Sequence, residues 1–194
     1  MVLRLSSPDV VGRTASVLSA HGVAILPCDT IYGVVGVAPE TESRIRSIKG
    51  SGEDKPFLQL LPDTGWVKRL SSQEVPPQFA RRWPGPLTLV VQARDGGTIA
   101  VRLPDSLFLQ SVLAAVGRPL YSTSVNRAGG PPLDRIEEIR AQFEDAVDLI
   151  VDAGTLSQGA PSTIVDVTRR PYRILRQGSL QVSREDLGTT EPPV

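Results

Sequence analysis

The 194-residue chain has one cysteine and one histidine, and these shortages narrow the chemistry available to it. A single thiol cannot close an intrachain disulfide, and such a composition suits a reducing compartment. Cys28 has no partner histidine and reads as a small buried thiol rather than a nucleophile. His21 lies at the end of an expected helix, where it meets the helix dipole. A Ser-His-Asp triad and a histidine-rich metal site are therefore not expected. Long apolar runs are also missing. The longest, Gly22 to Pro27, falls far short of the roughly 20 residues that cross a bilayer. No basic stretch followed by an apolar one opens the chain, so a signal peptide is not expected and a cytoplasmic location is. Net charge is absent too: 21 basic residues balance 21 acidic ones. Binding of nucleic acid by bulk electrostatics is excluded by that balance, which leaves room only for a local patch. No G-x-G-x-x-G opens a helix after the first strand, and no G-K-[ST] closes a glycine loop, so neither a Rossmann site nor a P-loop is supported.

What the chain does have is 40% hydrophobic residues, enough to bury a core, together with 17 glycines and 17 prolines set singly at the ends of apolar runs. This pattern predicts short elements joined by shaped turns. Ser6 or Ser7 is placed to cap a helix with Pro8 at its first position, ending at His21-Gly22 with glycine in the left-handed cap. Strands are expected over Val23–Leu26, Ile31–Val37, Phe57–Leu61, Leu87–Gln92, Thr98–Leu103, Leu120–Ser124, Leu149–Asp152, Thr163–Val167 and Arg173–Leu175. Asp95-Gly96-Gly97 makes the fourth and fifth of these a hairpin. Helices are expected from Pro39 to Lys49, in pieces from Asp63 to Arg82, over Ser106–Val116, and over Leu133–Phe143 with Ile136, Ile139 and Phe143 inward. The fold class is mixed α/β, with helices packed on a mixed sheet in one domain over residues 1–180. Residues 181–194 are expected to form a flexible tail.

Polar groups gather at strand ends. Pro27-Cys28-Asp29-Thr30-Ile31-Tyr32-Gly33 follows the first long strand and reads either as a capped loop or as a grip on a small polar ligand. Lys49 to Pro56 carries two lysines and two glycines, suited to a solvated turn or to phosphates. Trp83-Pro84-Gly85-Pro86-Leu87-Thr88 is stiffened by its prolines and delivers Thr88, with Trp83 as a core anchor. Arg102 closes Ala100-Val101-Arg102-Leu103-Pro104, where its planar fork suits a carboxylate or phosphate, or a surface ion pair. Ser122 to Gly130 holds Ser122, Ser124 and Asn126. Ser162 and Thr163 precede a late strand, and Arg176 ends the last one. Arg81 and Arg82 beside Trp83 form either a local RNA-facing patch or a solvated helix end. Cations and hydroxyls dominate the set, which implies an anionic, polar ligand.

In this order the segments resemble those of the YrdC family, whose proteins carry P-T-[DE]-T-x-Y-G, K-x-R-P, W-P-G-P-[LV]-T, A-V-R-x-P, S-x-[SA]-N-x-S-G, S-T-[VI]-[VI]-D and [IL]-x-R-x-G. The resemblance runs from Val23 to about Gly178. It implies an open, twisted sheet around a concave, positively lined cavity, and a nucleotidyltransferase that makes threonylcarbamoyl-AMP and pyrophosphate from ATP, bicarbonate and L-threonine. Mg²⁺ with the ATP, tRNA, and a threonylcarbamoyl transferase as partner are implied with it. By position, Thr30, Tyr32, Arg102, Ser162 and Thr163 would contact threonine. Lys49, Lys55, Thr88, Ser122, Ser124, Asn126 and Arg176 would line the nucleotide site, with Lys49, Lys55 and Arg102 carrying catalysis. Two departures stand out: Cys28 replaces a threonine, and Ser51-Gly52 replace the arginine and proline of K-x-R-P. The second keeps an alternative in view, a noncatalytic or altered-substrate paralogue that binds nucleotide or RNA.

Overall fold

β-Branched runs bounded by glycine and proline pair with one another here far more than they stack in sequence order. The computed structural model describes residues 1–50, 56–156 and 160–189, and within them ten strands form one sheet. In chain order the elements are β1 (Val2–Arg4), α1 (Val10–Ser19), β2 (Val23–Pro27), β3 (Tyr32–Val37), α2 (Glu42–Lys49) and β4 (Leu58–Leu60). There follow α3 (Gly65–Leu70), α4 (Pro77–Ala80), β5 (Leu87–Gln92), β6 (Thr98–Arg102), α5 (Leu107–Val116) and β7 (Leu120–Ser124). The last are α6 (Ile136–Phe143), β8 (Leu149–Asp152), β9 (Thr163–Asp166), β10 (Arg173–Arg176) and α7 (Arg184–Leu187). Across the sheet the order is β1-β8-β2-β3-β7-β4-β6-β5-β9-β10. Parallel pairs (β1/β8, β2/β8, β4/β6, β5/β9) mix with antiparallel ones.

Alternation along the strands sorts the side chains onto two faces. On one, Leu26, Val35, Leu60 and Leu120 pack under α1 and α5 through Leu18, Leu109, Val112 and Leu113. On the other, Val23, Ile25 and Val34 meet Ile45 and Ile48 of α2 and Ile136, Ile139 and Phe143 of α6. Further along, Leu87, Leu89, Val91, Val101 and Val165 pack with Val67 of α3, Phe79 of α4 and Trp83. Leu120, Leu60 and Arg102 fall in one cross-strand row, so the face that α5 covers at β7 and β4 continues onto β6 with a buried arginine. Helices cover only part of this face, and the candidate site lies beyond their edge.

Several boundaries differ from the sequence expectation. Helix α1 starts at Val10 after Asp9, because Ser7 and Pro8 belong to the preceding turn, in which Val10 N donates to Ser7 O at 3.2 Å. At its far end His21 itself holds the left-handed backbone, φ 60°. His21 N donates to Leu18 O and Gly22 N to Val17 O, both at 2.9 Å, a Schellman closure. Gly22 is there for space: a β-carbon would stand 2.7 Å from the Val17 carbonyl oxygen. Helix α2 begins at Glu42 rather than at Pro39. The segment after residue 180 is more than a tail. Ser183 and Asp186 form a reciprocal capping box on α7, Leu180, Val182 and Leu187 pack against the third cluster, and Arg82 pairs with Asp186 at 2.7 Å. Residues 190–194 lie outside the described residues.

Candidate active site

A cavity of about 650 Å³ opens across the ends of the central strands. Four cationic side chains line it (Arg46, Lys49, Arg102 and Arg176), and among the described lining residues there is no carboxylate. Its hydroxyls are delivered by strand alternation: Ser122 and Ser124 share a face on β7, and Thr88 and Ser162 approach from β5 and β9. Three polar corners organise it.

The first corner sits where α2 stops. Gly50 takes the left-handed conformation, φ 63°, and Lys49, 7% exposed, turns toward the end of β7. Its Nζ donates to Asn126 Oδ1 at 2.6 Å and to the Ser124 carbonyl at 2.8 Å. Ser124 Oγ donates to the same Oδ1 at 2.6 Å, and Asn126 Nδ2 holds the carbonyls of Arg127 and Gly130, both at 2.9 Å. These are neutral partners. Burial therefore goes uncompensated and brings the Lys49 ammonium down to about 8.

The second corner holds Arg102, 2% exposed. Its guanidinium pairs with Asp29, and both side chains are nearly excluded from solvent. Nε donates to the Gly85 carbonyl at 3.1 Å and Nη1 to Thr30 Oγ1 at 3.3 Å, while Asp29 Oδ2 also accepts from Asp105 N at 3.0 Å. The fork is thus fixed by two separate segments, Asp29-Thr30 and Gly85, the first itself tied to Asp105. The surface ion pair open to it in the sequence is in fact a buried one.

The third corner joins Thr88, Ser162 and Arg176. The two hydroxyls lie 2.8 Å apart, and Arg176 Nε and Nη2 donate to the Ser162 carbonyl at 3.1 and 2.9 Å. Desolvation, then the nearby Arg102, lowers the Arg176 pKa. Gly178 lets β10 come this close: a β-carbon there would overlap the Pro161 carbonyl oxygen and lie 2.5 Å from the Ser162 carbonyl carbon.

Of the residues singled out in the sequence, Thr30, Tyr32, Lys49, Thr88, Arg102, Ser122, Ser124, Asn126, Ser162 and Arg176 meet around this one cavity. Thr163 does not. It is fully buried, donates to the Leu180 carbonyl at 2.6 Å and accepts from Gly178 N at 2.9 Å, so its hydroxyl is spent on structure. Tyr32 lines the cavity, but its hydroxyl donates to the Gly154 carbonyl at 2.8 Å and accepts from Ala153 N at 2.9 Å. Lys55, like Ser51 and Gly52, lies outside the described residues. Cys28 also lines the cavity, and burial pushes its thiol up to about 12, which keeps it protonated and unreactive. Two contributors escaped sequence reading. Asp29 was visible only as the acid within P-C-D-T, and Arg46 stacks over Phe57 at 4.7 Å. No helix among the described residues is long and apolar enough to cross a membrane.

A mixed sheet whose strand ends enclose a cavity lined by cations and hydroxyls, with no acid among its described lining residues, defines a site whose chemistry suits an anionic polar ligand. The chain belongs to the Sua5/YciO/YrdC family, whose sequence profile, described as telomere recombination, matches residues 16–178. It is 32% identical over 194 residues to the Mycobacterium tuberculosis protein named "Putative threonylcarbamoyl-AMP synthase", covering 89% of this chain and 88% of that one. With the threonylcarbamoyl-AMP synthase of Pyrococcus abyssi it shares 30% identity over 169 residues, covering 79% of this chain and 49% of the relative, so it spans about half of that protein. The solved structure of P. abyssi Sua5 complexed with L-threonine superposes with a TM-score of 0.83 at 26% identity, over 93% of this chain and 57% of that one. Escherichia coli YciO, 23% identical, shares the fold with a TM-score of 0.80 over 95% and 96% of the two chains.

Proposed function

We infer that the chain is an L-threonylcarbamoyladenylate synthase, a nucleotidyltransferase that converts L-threonine, bicarbonate and ATP to threonylcarbamoyl-AMP, pyrophosphate and water. The observation that carries this reading is the convergence of three oriented cations, Lys49, Arg102 and Arg176, on one cavity with no carboxylate among its described lining residues. Threonine condenses with bicarbonate to a carbamate, whose oxygen attacks the α-phosphorus of ATP and displaces pyrophosphate. Both reactants are anions, so the barrier falls mainly through positioning and charge neutralisation. Lys49 faces the phosphates in this reading, and Lys55 is assigned to them by its place in the motif alone, with Thr88, Ser122, Ser124, Asn126 and Arg176 along the nucleotide. Arg102 and Thr30 take the carboxylate end of threonine, with Tyr32 as a wall and Ser162 beside it.

Mg²⁺ carried by the nucleotide would supply charge shielding to the phosphates. The side-chain oxygens of the cavity's described lining residues are hydroxyls and an amide rather than a carboxylate cage, which suits a cation held chiefly by phosphate and water. The product is a reactive acyl phosphate anhydride, consumed in the cytoplasm by a transferase that places the threonylcarbamoyl group on tRNA adenosine. Purified protein incubated with ATP, bicarbonate and threonine is expected to release pyrophosphate only when threonine is present, with threonylcarbamoyl-AMP seen by mass spectrometry. ATP binding without threonine-dependent pyrophosphate would instead support the paralogue reading that Ser51 raises. Gain of activity in Ser51→Arg would then locate the lost cation.

A further inference from the structure

A second concavity, of about 400 Å³, lies at the other end of the same strands. Four strands contribute to both sites. On β5, Thr88 lines the cavity and Gln92 the second groove; on β6, Arg102 and Thr98 do so. On β9 the pair is Ile164 and Asp166, and on β10 it is Arg176 and Arg173. The separation is two to four residues of extended chain, about 7–13 Å.

Arg169, Arg170 and Arg173 dominate this groove. Elsewhere among the described residues Arg44, Arg46, Arg82, Arg102, Arg118, Arg135 and Arg140 stand within 4.0 Å of a carboxylate, while the other arginines without such a partner are not gathered in one groove. The three groove arginines have no carboxylate partner among the described residues. The one acid among the described residues of the groove, Asp166, has Oδ1 taken by Thr168, from its backbone N at 2.9 Å and its Oγ1 at 2.6 Å. Arg170 is held by a bond from Nε to the Tyr172 hydroxyl at 3.1 Å and by stacking over that ring at 5.3 Å, and neither contact uses its two terminal nitrogens. In a protein with no net charge, a concentration of exposed, unneutralised planar forks is a local feature, not a consequence of composition. Guanidinium forks of this kind fit phosphate oxygens bidentately.

We propose that this groove is a second anion site that binds linked phosphates, as presented by an RNA strand or by a free inorganic polyphosphate. It stands whether or not the cavity makes threonylcarbamoyl-AMP. A fluorescein-labelled single-stranded RNA of about 20 nucleotides, followed by anisotropy at several salt concentrations, tests one source; inorganic triphosphate, followed by calorimetry, tests the other. The double variant Arg169→Ser/Arg173→Ser is expected to weaken the bound source by about tenfold or more. For RNA the log–log salt slope should also fall by about 1.4, as two phosphate contacts are lost. Arg4→Ser/Arg13→Ser removes the same charge at the opposite sheet edge and should leave both measurements unchanged. Loss for RNA alone assigns the strand, and loss for triphosphate alone assigns the free anion. Equal binding by wild type and the groove variant for both probes, or an equal loss in the edge control, overturns the proposal.

Discussion

Arg102 and Lys49 stand in the same cavity and meet their surroundings in opposite ways. Arg102 is neutralised by Asp29 before any ligand arrives and fixed by Gly85 and Thr30. Lys49 is held only by neutral oxygens, with its ammonium drawn down to about 8. The first cation contributes rigid direction and little free charge. The second contributes charge that only an incoming anion can satisfy. A site that must both orient one substrate and attract another's phosphates can divide the two tasks in this way.

The largest effect should come from breaking the neutralised corner. Asp29→Ala strands a buried guanidinium and is expected to cost about 3–5 kcal/mol in urea denaturation. Adding Arg102→Met should recover most of that loss, and no recovery would mean that Asp29 stabilises through Asp105 instead. Lys49→Met should cost function without weakening the fold, since the buried ammonium is itself disfavoured in the folded state. Losing a charged hydrogen bond to phosphate is worth about 1.5–3 kcal/mol, or roughly 10- to 150-fold in kcat/KM for ATP.

The same lysine sets a pH dependence. The folded value, about 8, lies below the ordinary 10.5, so between those values the unfolded chain holds a proton that the folded one has released. Unfolding free energy should therefore rise with pH across that window, and the rise should vanish in Lys49→Met. Smallest is the effect expected at Cys28, whose thiol stays protonated well above neutrality. Iodoacetamide at pH 8 should label it only after unfolding. Rapid labelling of the native protein would show that the cavity wall at Cys28 opens.

Much of this arrangement was legible from local pattern. Leu120–Ser124 and the β5–β6 hairpin fall where β-branched runs and the Asp-Gly-Gly turn put them. The polar strand ends do converge. What stayed hidden depends on partners distant in sequence. Strand β1 is three residues long and exists because β8, some 148 positions on, offers it an edge. Helix α7 is one turn whose apolar residues are too sparse to show a period, and its docking on Arg82 through Asp186 carries no local signal. Thr163 and Ser162 look interchangeable in sequence. Ser162, just before β9, turns to Thr88 and Thr163, at its start, to Leu180, and the sequence does not say which goes where.

Helices α1 and α5 leave part of one sheet face without a covering layer, and the cavity occupies that gap. Its occupant would therefore serve as the missing piece of a third layer. Bound ligand should knit β3, β7, β4, β6, β5 and β9 together from above, as α5 does for its own stretch. Hydrogen exchange at those strand ends should then slow on saturation, and by far more than at the already roofed β2 and β8. The fold is finished, in that sense, by what it binds.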